Sequence, residues 1–598
     1  MFRNAIEDYE FGKIIQTVNE KEKNRKLAQV RVAILRNITL DPIVPYLKFL
    51  CLEDGFKSDV YIGEYNNVLQ DVLNPESSLY KHNPDVIIVC LKLEVLSNRI
   101  TRYFTGMSHD EINKDIEGII GNIDLILKGI RKQSNSIVLI NNFEVPVCPS
   151  FGIYDYQKHF NQVNTIRNIN LQLLSLVDRH ENCYIVDFDL IQSYVGYKDF
   201  INTRYWHIGK APYSREALMV IAEEYMKFIR ASLGRNRKCL VLDCDNTLWG
   251  GIIGEDGIDG IKLGKTYPGS EYLEFQQSVL DHYERGVILA ICSKNNKEDV
   301  LGVLNRHPDS VLREEHFAVI MANWNDKVSN IKEIAKELDI GLDSMVFIDD
   351  SDFEANMVSE CLPEVRVISL PKDSTKYRDI LASCGLFDSL ALSEEDRRRG
   401  GMYRSEFERK NLKVKSTSLE QYFASLETEV IIGNADSYSI PRIAQLTQRT
   451  NQFNLTTKRY SESDIKNFAE SENCEVWNIS LKDRFGESGI IGVAIINSND
   501  NFAEIDSLLI SCRVIGRGVE DILLKHCIER SKIQGKKKIY GYYIKTKKNS
   551  PVSGFYEKRG FIIENQSGIK IKYTLLLDRP LFNIPNYFKS IKIVNKEN

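Results

Sequence analysis

The stretch Lys238-Cys239-Leu240-Val241-Leu242-Asp243-Cys244-Asp245-Asn246-Thr247-Leu248-Trp249-Gly250-Gly251 decides how the rest of the chain is read. Its apolar run has strand character, and turn-prone residues follow the two carboxylates. In an open α/β sheet, ligands sit at the carboxyl ends of the strands. Strand side chains alternate, so Asp243 and Asp245 project to one side while Cys244 points away unless the backbone bends. Two like charges on one edge repel, and a hard divalent cation is the simplest way to hold them together. A pair of solvated turn aspartates is the alternative for an isolated Asp-x-Asp.

Three later stretches argue against that alternative. Val287-Ile288-Leu289-Ala290-Ile291-Cys292-Ser293-Lys294-Asn295 is an apolar run ending in a hydroxyl. Lys327, within Trp324-Asn325-Asp326-Lys327-Val328, opens a helical pattern, and Met345-Val346-Phe347-Ile348-Asp349-Asp350 is a further apolar run ending in acids. In this order the four stretches resemble motifs I to IV of the haloacid dehalogenase (HAD) superfamily of phosphoryl-transfer enzymes. The resemblance implies that Asp243 attacks phosphorus and ligates Mg2+. It implies that Asp245 protonates the leaving group, then activates water, and lends the metal its backbone carbonyl. Ser293 would hydrogen-bond the phosphoryl group, Lys327 would neutralise phosphate and nucleophile, and Asp350, with Asp349 beside it, would add carboxylates to the metal. The chemistry asks for these residue types, because phosphoryl transfer is mostly positioning and charge neutralisation. Oxygen-only ligands suit magnesium better than zinc or copper.

Between the first two stretches lie Gly250-Gly251-Ile252-Ile253-Gly254-Glu255-Asp256-Gly257 and a helical pattern from Gly269 to Arg285. That interval leaves little room for a separate cap domain, so the site is expected to be open to bulky or protein-borne substrates. Asp243 to Gly251 with Ile253 to Gly257, Cys292-Ser293-Lys294-Asn295, and Gln448-Arg449-Thr450-Asn451-Gln452-Phe453-Asn454 look like the FkbH-like proteins of HAD subfamily IIIC. The likeness covers about residues 28 to 575 and implies a bifunctional phosphatase and glyceryl transferase. Such an enzyme dephosphorylates 1,3-bisphosphoglycerate and holds the glyceryl group on an enzyme cysteine. It then passes the group to the pantetheine arm of an acyl carrier protein, in secondary-metabolite or polyketide-type biosynthesis. Cys244 is favoured as the thiol because the family combines it with the Asp pair. A buried structural role competes, and Cys292 and Cys512 stay open.

Further along, Arg513-Val514-Ile515-Gly516-Arg517-Gly518 separates a strand pattern from a helix pattern. Arg-x-x-Gly-x-Gly there resembles the pyrophosphate-binding loop of GNAT acyltransferases, whose glycines let backbone amides approach phosphate; a tight structural turn is the alternative. Phe555-Tyr556-Glu557-Lys558-Arg559-Gly560-Phe561 resembles the closing segment of that fold. By resemblance Tyr556 protonates a departing thiolate and Asn549 lies near the same cleft, against the alternative of an aromatic packing cluster. The ligand implied is coenzyme A or the pantetheine arm of a carrier protein.

Composition is that of an ordinary globular chain, with 43% hydrophobic and 27% charged residues. Its 598 residues suggest about three or four domains. A formal net charge of -5 argues against a nucleic-acid partner. Twelve cysteines without a Cys-x-x-Cys, and an N-terminus unlike a signal peptide, read as reduced thiols in a cytoplasmic protein. No apolar run approaches the roughly 18 residues of a membrane span.

In front of the HAD stretch, Val30 to Leu35, Asp85 to Cys90, Ser136 to Ile140 and Cys183 to Asp187 read as strands alternating with helices such as Ile112 to Lys132. Arg36-Asn37, Asn141-Asn142 and Trp206-His207 loosely resemble SGNH hydrolase blocks, but the Gly-Asp-Ser nucleophile is missing and Arg204 replaces the Asp of the last block. His207 therefore reads as structural and the domain as a scaffold or docking module. The fold expected is a multidomain α/β chain, a Rossmann-like HAD core flanked by an N-terminal SGNH/flavodoxin-like α/β domain and a C-terminal GNAT-like α+β domain. The boundaries expected are an N-terminal helical extension over 1–27, the SGNH-like domain over 28–235, the HAD-like domain over 236–370, a helical connector over 371–425, the GNAT-like domain over 426–577 and a C-terminal tail over 578–598. The connector holds the charge run Glu394-Glu395-Asp396-Arg397-Arg398-Arg399, read as solvated. Two other functions fit the same residues: a phosphatase or phosphotransferase for another small metabolite, and a GNAT-type N-acyltransferase using coenzyme A.

Overall fold

Val86-Ile87-Ile88-Val89-Cys90 has no polar face, which is the pattern of a strand covered by helices on both sides. The computed structural model describes residues 11–21, 27–392, 401–405, 409, 412, 418–546 and 548–594, and the charge run Glu394 to Arg399 lies outside them. By its packing the chain divides into two units, Met1–Arg235 with Asp388–Leu390, and Asn236–Phe387 with Ala391–Asn598.

The first unit holds β1 (Ala28–Arg36), β2 (Phe56–Ile62), β3 (Val86–Cys90), β4 (Ile137–Asn141) and β5 (Cys183–Val186), in the order β2-β1-β3-β4-β5. All four pairings are parallel. Strand alternation sends Val32, Ile34, Val86 and Ile88 into one core and Ala33, Leu35, Ile87 and Val89 into the other. The helix His109–Gln133 begins at a Ser108/Glu111 capping box and buries a stripe of Ile112, Ile116, Ile119, Ile123, Ile126, Leu127 and Ile130. Each such side chain contributes about 1.5–3 kcal/mol on burial.

Polar residues at the strand ends are structural. Asn37 exchanges bonds with the backbone of Lys92, and Asn141 does the same with Leu91. Trp206 donates Nε1 to Glu94, and His207 is exposed on the helix Thr203–Gly209.

In the second unit, β6 (Cys239–Leu242), β7 (Ile288–Ser293), β8 (Phe317–Ala322), β9 (Met345–Asp349) and β10 (Arg366–Ser369) form a parallel sheet in the order β10-β9-β6-β7-β8. β6 is central, and β6, β7 and β9 end at the three stretches that carry Asp243, Ser293 and Asp349. The order reverses at β6, so neighbouring loops diverge there and leave a crevice.

A third sheet follows, built from β11 (Glu429–Asn434), β12 (Phe453–Asn454), β13 (Cys474–Asp483), β14 (Gly486–Ser498), β15 (Phe502–Ile510), β16 (Lys538–Ile544), β17 (Ile562–Ser567), β18 (Lys570–Leu576) and β19 (Ser590–Val594). Its path is β17-β18-β16-β15-β14-β13-β11-β19, with β12 attached to β15. The helix Val519–Ile533 joins β15 to the parallel strand β16. The stretch after 577, expected as a tail, supplies β19 as an edge strand beside β11, and its Leu581, Phe582, Ile584 and Phe588 pack on the core. The apolar residues that do this are spaced irregularly, so no period marked them.

Candidate active site

β6 ends at Leu242, and one more ladder bond, from Asp243 N to Ile348 O (3.0 Å), carries the strand line to Asp243. The chain then turns: Cys244 O accepts from Thr247 N (3.1 Å) and Leu248 N (2.8 Å), and Asn246 takes a left-handed φ of 52°. Asn246 closes the turn by accepting Gly251 N on its Oδ1 (2.9 Å), a local bond that lets asparagine hold this conformation.

The structure brings the expected residues together around this turn. Lys327 opens the helix Lys327–Leu338 behind an Asp326 cap. Its Nζ lies 2.9 Å from Asp243 Oδ1 and 2.5 Å from Asp349 Oδ2. Carboxylate oxygens of Asp243, Asp349 and Asp350 lie within 4.8 Å of one another. Thr247 Oγ1 donates to Asp350 (3.4 Å), and Ser351 N donates to Asp349 Oδ1 (2.9 Å). Asp245 is fixed by hydrogen bonds at both oxygens: Oδ1 accepts from Trp249 Nε1 (3.0 Å) and Ile253 N (3.1 Å), and Oδ2 from Asn295 Nδ2 (3.0 Å). Asn295 also reaches Ser293 Oγ (3.1 Å), linking motif II to Asp245.

Electrostatics follow from burial. Removal from water raises the carboxyl groups of Asp349 and Asp350, and the charge of Asp243 raises them further, Asp350 to about 6. Asp245 is raised mainly by burial. Burial alone would lower Lys327, but Asp243 and Asp349 overcome it and hold the ammonium charged. Three carboxylates face one lysine, an all-oxygen, charge-deficient set that fits a hard divalent cation.

Asn295, Thr247 and Trp249 were missed as site residues, although all three stand inside the quoted stretches. Their roles depend on tertiary hydrogen bonds that no spacing encodes. Tyr377, expected in a connector, donates its hydroxyl to Asn246 O (3.2 Å).

The cysteines sit differently. Cys244 and Cys292 are fully buried. Burial, then the Asp243 charge, pushes the Cys244 thiol well up, and burial does the same to Cys292. Cys512 is exposed in the turn Cys512–Val514.

The residues expected at the GNAT cleft are not part of this cluster. Gly516 and Gly518 have positive φ, 79° and 74°, while the Arg513 side chain lies outside the described residues. Asn549 and Tyr556, expected to face a ligand, are instead in the packed interior. Tyr556 is wedged against Gly541, where a Cβ would come within 2.5 Å of its ring.

Comparison with known proteins agrees with this architecture. Residues 31–230 match the family described as FkbH, N-terminal domain, and residues 440–561 match the acetyltransferase (GNAT) family. The N-terminal part of BF1531 from Bacteroides fragilis, a crystal structure containing a phosphatase domain complexed with Mg, is 28% identical, with a TM-score of 0.59, and the match covers 64% of this chain and 100% of that one. The ribosomal-protein-S18-alanine N-acetyltransferase of Escherichia coli matches over 25% of this chain and 94% of its own, at 17% identity and a TM-score of 0.20. A GNAT acetyltransferase from Elizabethkingia anophelis with acetyl-CoA bound matches over 25% and 97%, at 18% identity and a TM-score of 0.19. No curated protein matches the chain in sequence. The resemblance read from the motifs therefore stands: this is a multidomain α/β chain with an FkbH-type N-terminal part, a HAD-like phosphatase neighbour and a GNAT-like C-terminal part.

Proposed function

We propose that the chain is a Mg2+-dependent phosphohydrolase of HAD type with Asp243 as nucleophile, acting on a small phosphorylated metabolite. The observation that carries the reading is the meeting of Asp243, Lys327, Asp349 and Asp350 at the carboxyl edge of one parallel sheet. An Asp243 oxygen attacks phosphorus while the bond to the leaving oxygen breaks, and Asp245, whose carboxyl is raised by burial, gives that oxygen its proton. Water then attacks the aspartyl phosphate, its proton returns to Asp245, and phosphate leaves. Lys327 neutralises charge throughout, and Ser293, positioned through Asn295, hydrogen-bonds the phosphoryl group. Asp243, Asp349 and Asp350 would hold Mg2+, which supplies charge neutralisation at the transferring group. The Mg bound by the related Bacteroides fragilis phosphatase domain supports this assignment.

At the finer level the expected substrate is 1,3-bisphosphoglycerate and the expected acceptor of the glyceryl group is an acyl carrier protein. This part rests on the FkbH-type resemblance. A covalent stop on the enzyme requires a thiolate, and burial disfavours one at Cys244 or Cys292, so a relay through Cys244 requires the strand end to open. Twelve cysteines without a disulfide accord with a reducing, cytoplasmic setting. Among the described residues no helix is long and apolar enough to cross a membrane.

The test is phosphate release with Mg2+ and 1,3-bisphosphoglycerate generated in place, followed by intact mass of the enzyme and of an added carrier protein. A glyceryl-sized, thiol-labile increment on the carrier supports the transferase. Phosphate release without an increment on either protein leaves a phosphatase and removes the transfer step.

A further inference from the structure

The stretch Gln448 to Asn454, conspicuous in the sequence but unused by the phosphoryl site, ends in a strand that closes the GNAT-like domain from within. β15 and β16 are parallel, yet they pair only over Phe502–Glu504 and Lys538–Tyr540. Beyond that they diverge, and each would present unpaired backbone groups to the gap. A pantetheine arm whose pyrophosphate rested on the turn 513–518 would lie along this free edge of β15, because the turn follows β15 directly.

In this chain β12 fills the gap. Phe453 pairs with Ile510 and Asn454 with Leu509, antiparallel. Leu455 bridges the two diverging strands, donating its N–H to Leu508 O (3.2 Å) and accepting Ile544 N on its own carbonyl (2.8 Å). Asn549, expected to meet the ligand, fastens the filler: its Nδ2 donates to Asn454 O (3.0 Å) and Ile544 O (2.9 Å), and its Oδ1 accepts Thr546 N (2.8 Å). Phe453 packs edge-on against Phe555, with ring centroids 5.0 Å apart. Asn454 holds the segment's own shape, donating to Thr450 O (3.3 Å) and accepting Thr457 N (2.8 Å).

The phosphate end of the cleft is covered as well. A Cβ at Gly518 would lie 2.8 Å from the Tyr587 hydroxyl and 3.2 Å from Pro585. Tyr587 donates that hydroxyl to Arg517 O (3.1 Å), on the turn itself. Arg517 is buried with its guanidinium 3.8 Å from Asp483, and the helix that follows opens with the buried Glu520 and with Asp521, which is paired with Arg559. One oxygen of the buried Glu520 has no hydrogen-bond partner.

We infer that this domain takes neither coenzyme A nor a carrier's pantetheine in its cleft, because residues 453–455 and 585–588 of the same chain occupy the two halves of the site. The Gln448–Asn454 stretch is then the signature of an internal strand rather than of a ligand contact. Pantetheine chemistry, where this protein performs it, belongs to the phosphoryl site. The inference is independent of the phosphohydrolase reading, since it concerns no residue of that site.

The test titrates the unaltered full chain, with Mg2+ present, against coenzyme A, acetyl-coenzyme A and free phosphopantetheine by calorimetry. Amide exchange at Leu455 and Ile544 is followed in the same mixtures. No saturable binding tighter than about 1 mM is expected, with both amides protected and unchanged. Saturable binding below that value, or loss of Leu455 protection on adding acetyl-coenzyme A, overturns the inference. An Asn549→Ala variant is expected to speed exchange at Leu455 at least about tenfold while phosphate release is unchanged. Equal exchange in variant and parent contradicts the fastening role of Asn549. The binding arm stands whether or not the variant folds.

Discussion

Lys327 is held between Asp243 and Asp349 with almost no exposure, so its charge is compensated only by that arrangement. Removing one member of a buried ion pair strands the other, and Lys327→Met is expected to lower the stability of the metal-free protein by about 3–5 kcal/mol in urea unfolding. Mg2+ should restore part of the loss, because a cation again faces the three carboxylates. The acids give a second expectation with a definite sign. Asp349 and Asp350 have folded values above their unfolded ones, so the folded metal-free protein binds more protons and its stability falls as pH rises from about 4 to about 6 and above. Mg2+ replaces those protons, so the rise in Tm on adding it should be larger near pH 7.5 than near pH 5 in paired thermal melts. An equal rise at both values would contradict the assignment of these acids as ligands. Asp243, Asp245, Ser293, Lys327, Asp349 and Asp350 were legible because each stands at the end of an apolar run or the start of a helix. Asn295 was not, since a side-chain amide that links Asp245 to Ser293 leaves no mark on spacing.

At the level of elements, parallel strands were the easiest to read. β3 and β7 are uninterrupted apolar runs because both their faces are covered, whereas β12 is two residues long and below any periodicity. The strand β12 pairs with β15 where β15 and β16 no longer pair, a tertiary setting that local sequence does not carry. The loop glycines Gly516 and Gly518 adopt positive φ, a conformation that serves a covered turn as well as a phosphate cradle. The helix Val519–Ile533 also carries a pH-sensitive contact. His526 packs edge-on against Trp477 with ring centroids 4.2 Å apart, and burial, with the Arg530 charge adding and Glu475 opposing, lowers it to about 4. Between that value and the unfolded 6.5 only the unfolded chain binds the proton. Stability should therefore fall by up to about 3 kcal/mol as pH drops from about 6.5 to about 4. His526→Phe should flatten that part of the pH-stability curve in chemical denaturation.

On the scale of the whole chain, three sheets with their own cores carry the architecture that composition and motif order anticipated. The N-terminal sheet has helices on both faces, and polar residues at its strand ends are bonded to backbone. The C-terminal stretch beyond 577 was misjudged as a tail because its apolar residues follow no period, and they matter by covering a turn formed some seventy residues earlier. The proposed phosphohydrolase depends on Asp243 as its nucleophile. Its decisive test is phosphate release from 1,3-bisphosphoglycerate and from simple aryl and acyl phosphates, with Mg2+, comparing the parent with Asp243→Asn. Release by the parent, a loss of at least about a thousandfold in the variant, and no release from either once the metal is chelated are expected. Undiminished release by a folded Asp243→Asn protein would contradict it.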